Sequence, residues 1–249
     1  MSIWQRLDQE VDPSGCLLPL ATFCFMAGFI DSISFSATYV WCGFQTGNFA
    51  QLALAIARLW ENPHRYFHIA DQQALCSLIS FWFGAFLGRF GARVGRQKRI
   101  WLIVGNLLAA MFMAIAAIAI WKSGQASVAN HRDLPAWSNA RTFVGIAGLS
   151  ITLGIQGTLA KGLSSQLGTT LVLTTLWVEL FNDLNLFKIG RVKGRDHRII
   201  GAFCLFLGAF ISRALLYEIG SAGTIGVGVG IKLINTFFWL WMPAKPTST

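Results

Sequence analysis

The sequence predicts an all-α integral membrane protein: six transmembrane helices in two inverted-repeat halves, each half carrying one short re-entrant or amphipathic helix as well. Three observations predict it. Of 249 residues, 54% are hydrophobic and only 12% are charged, too few to give a soluble globule its polar skin. Apolar runs of about twenty residues, the length that crosses a hydrocarbon core of ~30 Å, recur until the chain is nearly used up. The formal charge of +9 is gathered largely into two short linkers, Arg89 to Arg99 and Lys188 to Arg198, each abutting apolar segments. That is the positive-inside pattern of cytoplasmic loops beside anionic lipid, and it argues against a nucleic-acid-binding face.

Residues 1–16 have one arginine and three acids with no small-residue cleavage site, so they read as a cytoplasmic N-terminal segment and the first apolar run as a retained signal anchor. Eight apolar segments follow: Leu17 to Tyr39, Gly43 to Leu59, Ala74 to Val94 and Ile100 to Trp121 in a first half (17–121), then Thr142 to Leu163, Leu167 to Phe187, Ile199 to Ile219 and Ser221 to Met242 in a second half (142–242). Gly124, Asn130, Pro135 and Asn139 mark 122–141 as a linker loop, and 243–249 forms a C-terminal tail. Five cysteines lie in or beside apolar segments without CxxC or Cys/His spacing, so neither a disulfide framework nor a zinc site is indicated. No metal or cofactor fingerprint is visible.

Dividing the chain at the linker exposes a repeat. Gly84-Ala85-Phe86-Leu87-Gly88-Arg89 matches Gly208-Ala209-Phe210-Ile211-Ser212-Arg213, and Ala27-Gly28-Phe29-Ile30 is echoed by Leu153-Gly154-Ile155-Gln156, at offsets of 124 to 127 residues. If all eight segments crossed, the two basic linkers would fall on opposite sides. If the second and sixth do not cross, both linkers share one side with both termini, and halves of three spans each must be inverted. A seven-span chain in which the second segment crosses satisfies the charge pattern equally. The sixth segment supports its own demotion, because Leu173, Leu176, Trp177, Leu180, Leu184 and Phe187 occupy one helical face while Thr175, Glu179, Asn182 and Asp183 occupy the other.

These residues resemble a known family. AGFIDSISF, then TGN opening the next helix, then GIQGTLAKGL and TTLVLTT in the second half, are similar to the YoaK family of membrane proteins, over roughly Leu17 to Met242. The resemblance implies about six spans and no assigned substrate. The chain departs from the family pattern at Gly157, where relatives carry asparagine, and at Leu173-Thr174-Thr175, which replaces Thr-Gly-Thr.

Polar residues at membrane depth mark the candidate site. Asp31 sits about 21 Å into its helix, and an aspartate at a span centre costs ~2.5–3.5 kcal/mol, so it is expected to face a polar interior. Arg213 is its expected partner, at matching depth. Thr46 and Asn48 are expected to cap a helix that begins inside the bilayer and aims free amides at the site. Gln156 offers a further hydrogen bond, and Glu179 and Asp183 line the polar side of the sixth segment. Trp101, Trp121, Trp239 and Trp241 fall where an interfacial belt would place them. The function expected is a small secondary transporter of an unidentified small molecule or ion in the lipid bilayer. The alternatives are an embedded enzyme acting on a lipid-like substrate and a membrane scaffold.

Overall fold

The structure, a computed structural model, describes residues 3–61, 67–131, 134–163 and 173–246. Nine helices lie among them: α1 (Ile3–Asp8), α2 (Leu17–Thr38), α3 (Gln45–Glu61), α4 (Ile69–Leu87), α5 (Phe90–Val94), α6 (Arg99–Ser123), α7 (Ala140–Gly162), α8 (Leu173–Phe181) and α9 (Lys193–Trp241). Five helical stretches are long and apolar enough to cross a membrane, namely α2, α4 with α5, α6, α7 and α9. The last has 49 residues, but Gly220 (φ 68°, ψ 177°) interrupts it between the expected seventh and eighth segments. Only a residue without a Cβ adopts such angles freely, so the break falls where glycine permits it.

The bundle has two distinguishable ends. At one, Arg99 is almost wholly buried and donates to the carbonyls of Arg6 (2.7 Å), Trp239 (3.0 Å) and Met242 (2.7 Å), tying both ends of the described chain to the start of α6. Hydrogen bonding by Ser14 lowers the pKa of Asp12, with smaller help from Lys193 and Lys245, so the start of α9 lies at this end too. Both basic linkers and both described termini therefore share one end. At the other, the linker's Ala129 and Ala136 amides donate to the carbonyls of Ser36 and Ala37 on α2, each at 2.8 Å, and Ser127 Oγ accepts from the Ser221 amide at 2.8 Å. This linker is no free loop, because Trp137 within it is fully buried.

Two close helix crossings frame the interior. Where α2 meets the first arm of α9, a Cβ on Gly28 would collide with the Leu205 carbonyl and one on Gly208 with the Phe25 carbonyl. Where α7 meets α4, a Cβ on Gly154 would collide with the Phe81 carbonyl and one on Gly84 with the Ile151 carbonyl. Leu205 and Gly208 stand 124 residues after Phe81 and Gly84, while Ile151 and Gly154 stand 126 after Phe25 and Gly28. The same four positions thus build both crossings. Small residues let backbones approach closely, the contact that holds helices together where burial from water gives no drive.

The short helices differ from the spans. α3 leaves Phe49, Leu54, Ile56 and Trp60 exposed and packs against α4; α8 leaves Trp177, Val178 and Phe181 exposed and packs against α9. Of the sixth apolar segment, 167–172 lies outside the described residues, and the helix ends at Phe181, with 182–187 non-helical. Of the four tryptophans expected at an interface, Trp121 and Trp241 are exposed, whereas Trp101 and Trp239 are buried inside the protein. Trp101 is held against Gly91, and Trp239 lies against the Phe23 ring.

Each crossing tolerates no added bulk. Gly28→Val and Gly154→Val should each lower stability by about 1–3 kcal/mol through overpacking, read as a lower melting temperature in detergent. Gly226→Ala should leave it unchanged, since nothing lies within 4 Å of the added methyl.

Candidate functional site

The chain stops being helical after Thr38, turns through Tyr39 in the left-handed region (φ 58°) and resumes at Gln45. This break is buried: Val40 is 1% exposed and Cys42 0%. Backbone groups freed inside a bundle must find partners within the protein. Asp31, 2% exposed, turns its Oδ1 onto the Gly43 amide at 2.7 Å. Asn48 donates to the Trp41 carbonyl (2.7 Å), Gln45 to the Cys42 carbonyl (2.6 Å) and Ser77 to Trp41 as well (3.2 Å). Ser77 in turn lies 2.9 Å from Ser150 on α7. Since Ser77 is eight residues past Ile69, the start of α3 lies about 12 Å of helix rise below the start of α4.

Asn48 therefore satisfies a carbonyl rather than capping an amide, and Thr46 is exposed. The capping expectation is replaced by a different solution with the same effect. Asp31 takes the amide, and the amide side chains take the carbonyls. One oxygen is left over, because Asp31 Oδ2 has no hydrogen-bond partner among the described residues.

A second buried cluster centres on Lys232, in the second arm of α9, which is 0% exposed. Its ammonium donates to Gln156 Oε1 at 2.6 Å and lies 5.0 Å from the centre of the Phe23 ring. Gln156 Nε2 donates to the Phe23 carbonyl at 2.9 Å, fixing which face it offers the lysine. From α6, Asn106 donates to the Lys232 carbonyl (2.8 Å) and to Thr236 Oγ1 (2.7 Å). Neither Asn235 amide atom, nor Asn106 Oδ1, nor Trp239 Nε1 has a partner among the described residues. Phe23 and Asp31 are separated by about 12 Å of α2. Two ionisable groups of opposite kind thus lie in one bundle, and neither makes an ion pair among the described residues.

The remaining expected residues lie elsewhere. Arg213 is exposed and makes no ion pair with Asp31. It stands 124 residues after Arg89, which is exposed as well. Glu179 and Asp183 both meet Arg198, at 3.1 Å each, and do not join the buried clusters. In the first half Arg58 meets the buried Asp71 at 2.5 Å. Asp183 follows Arg58 by 125 residues and Arg198 follows Asp71 by 127, so α3 is tied toward α4 and the end of α8 toward α9 by one ion pair each, with base and acid exchanged. Beside the first joint lies a cavity of about 600 Å³ lined by Gly47, Gln51, Leu54, Arg58, His68 and Asp71.

Lys232 and Asn106 escape the sequence analysis although a signal for them exists. Lys232 is the lone charge in the run Ser221 to Met242, and Asn106 stands 126 residues before it, the offset that relates Gly28 to Gly154. The glycines around Lys232 draw attention to packing instead.

Residues 20–238 match a family described as a protein of unknown function, DUF1275. No curated protein and no solved structure matches the chain.

The Asp31 contact makes a distinction that mutants can read. Asp31→Asn keeps an oxygen for the Gly43 amide and should stay within about 1 kcal/mol of the parent, whereas Asp31→Ala strands a buried N–H and should cost ~1–3 kcal/mol. Denaturation of the purified protein in detergent measures both.

Proposed function

The chain belongs to the DUF1275 family, whose description assigns no activity, and from that premise we propose a small secondary transporter built of two inverted halves with three spans each. One observation carries the proposal: Asp31 and Lys232 are both buried in the bundle and neither is paired with an opposite charge. A charge at depth is costly, and a purely structural role would be served by pairing the two. Unpaired, each is available to an occupant or a proton as the bundle changes state.

Three features support the architecture. An unbroken helix of 49 residues would run ~73 Å, more than twice the ~30 Å core, so the turn at Gly220 suits two crossings better than one. The repeat-related glycine crossings suit halves related by a two-fold axis in the membrane plane. The deep start of α3, anchored to Ser77, suits a re-entrant helix and disfavours the seven-span arrangement. In this scheme both basic linkers and both termini face the cytoplasm.

The site would lie where Asp31 meets the break, with Lys232 and Gln156 deeper toward the basic end. Opening toward the linker end requires Trp137 and its strap to move. The two ion-paired joints, Arg58 with Asp71 and Arg198 with Asp183, would hold each short helix against the following span until the bundle rearranges.

Untargeted comparison of metabolites inside and outside cells with and without the protein identifies the cargo. Flux of that cargo into proteoliposomes then tests the mechanism. Asp31→Asn should reconstitute within about 1 kcal/mol of parental stability and Lys232→Met, which strands Gln156 Oε1, within ~1–3 kcal/mol, while both lose at least about tenfold in flux, a loss corresponding to ~1.4 kcal/mol. Parental flux in both variants would sink the proposal.

A further inference from the structure

At the basic end, α4, α5, α6 and α7 enclose two adjoining hollows of about 430 and 240 Å³ that share Arg89 and Arg96. Arg93 lines the larger; Lys161, Trp101 and Thr158 line the smaller. Four cations thus converge on one groove. Among the described residues none of them makes an ion pair with an acid, although other bases at this end are paired, Lys98 with Asp8 and Lys245 with Glu10. Residues 164–172, which follow Lys161 in the chain, contain no acid either.

Two further observations point to the occupant. Arg89 and Arg93 are exposed, yet each lies against a ring: their guanidinium carbons are 5.2 Å and 5.8 Å from the ring centres of Phe86 and Phe90. A guanidinium held this near an aromatic ring loses none of its N–H donors, which stay available to an anion. From the groove, the outer face of α4 runs into the span as Phe86, Phe83 and Trp82, which are 53%, 47% and 53% exposed. A cationic pocket adjoining an exposed aromatic face has the chemistry that an anionic headgroup joined to acyl chains would meet.

We propose that this groove is a specific site for an anionic phospholipid, its phosphate held by Arg89, Arg96 and Lys161 and its chains laid along Phe86, Phe83 and Trp82. A phosphate accepts paired N–H donors from arginine, and a lysine adds charge without dictating orientation. Two arginines and a lysine around one phosphate discriminate against a zwitterionic headgroup, whose added ammonium would meet the same cations. The site is independent of any transported cargo, and it lies at the end that the positive-inside pattern assigns to the leaflet richer in anionic lipid.

The test is lipid retention by the purified full-length protein in neutral detergent, read by native mass spectrometry during titration with dioleoyl phosphatidylglycerol or dioleoyl phosphatidylcholine. The anionic lipid should be retained at concentrations at least about tenfold lower than the zwitterionic one. Arg89→Gln with Arg96→Gln should abolish that preference, while Lys122→Gln, at the opposite end over the Trp121 ring, should keep it. Should the double variant fail to fold, Lys161→Gln alone should weaken the preference by several-fold. Equal retention of both lipids, or a preference untouched by every groove variant, overturns the proposal. So does displacement of the lipid by millimolar inorganic phosphate, which would make the groove a site for the free anion.

Discussion

The hydrogen bond from the Gly43 amide to Asp31 is the contact on which the interior depends. A helix that stops inside a bundle frees carbonyls at its end, and a helix that restarts there frees amides. Water satisfies such groups at a surface, but in a packed interior each one left over costs free energy on the scale of a lost hydrogen bond. Here the carboxylate takes one amide, and Asn48, Gln45 and Ser77 take the carbonyls of Trp41 and Cys42. The break is consequently a built feature. It also holds the start of α3 at depth, since Asn48 and Gln45 sit on its first turn.

Glycine sets the frame around that break. Gly28 and Gly208 bring α2 against the first arm of α9, and Gly154 and Gly84 bring α7 against α4. Backbones this close leave little freedom for the helices to slide, so each crossing behaves as a rigid pair. Between the two pairs stand α6 and the second arm of α9, joined by Asn106 to Lys232 and Thr236. Polar side chains suffice there because the hydrocarbon surroundings offer them no better partner.

Hydropathy and loop charge made the spans legible: the observed bounds of α2, α6 and α7 fall within two residues of the apolar segments, and Gly220 falls between the last two. The link between Asp31 and the break was also legible, as a carboxylate at depth followed by Gly43 and Asn48. Partner identity was not. Matching depth suggested Arg213, but depth says nothing of which way a side chain faces around its helix, and Arg213 faces outward. Glu179 and Asp183 were read as one polar stripe of a helix, but Asp183 lies past the end of α8, and a stripe does not reveal that an arginine at 198 will meet both. Lys232 was missed because the glycines around it read as packing, although it is the lone charge in its run.

On the proposed repeat, the halves keep their packing and diverge in their charges. The glycines are retained at all four crossing positions, whereas the position 126 residues after Asp31 is Gly157, and that 126 before Lys232 is Asn106. The first half therefore buries Asp31 and the second buries Lys232, groups of opposite kind, and neither has a copy in the other half. The ion-paired joints follow the same rule, with base and acid exchanged between α3 with α4 and α8 with α9. Packing positions answer to sterics, which a two-fold axis imposes equally on both halves, so they stay alike. Charges at depth answer to the sum within one interior, where a second aspartate would repel the first and a second lysine would have to share Gln156. A duplicated carboxylate is thus the change this interior could least tolerate, and an inverted pair of halves with one anion and one cation between them keeps its centre neutral without pairing them.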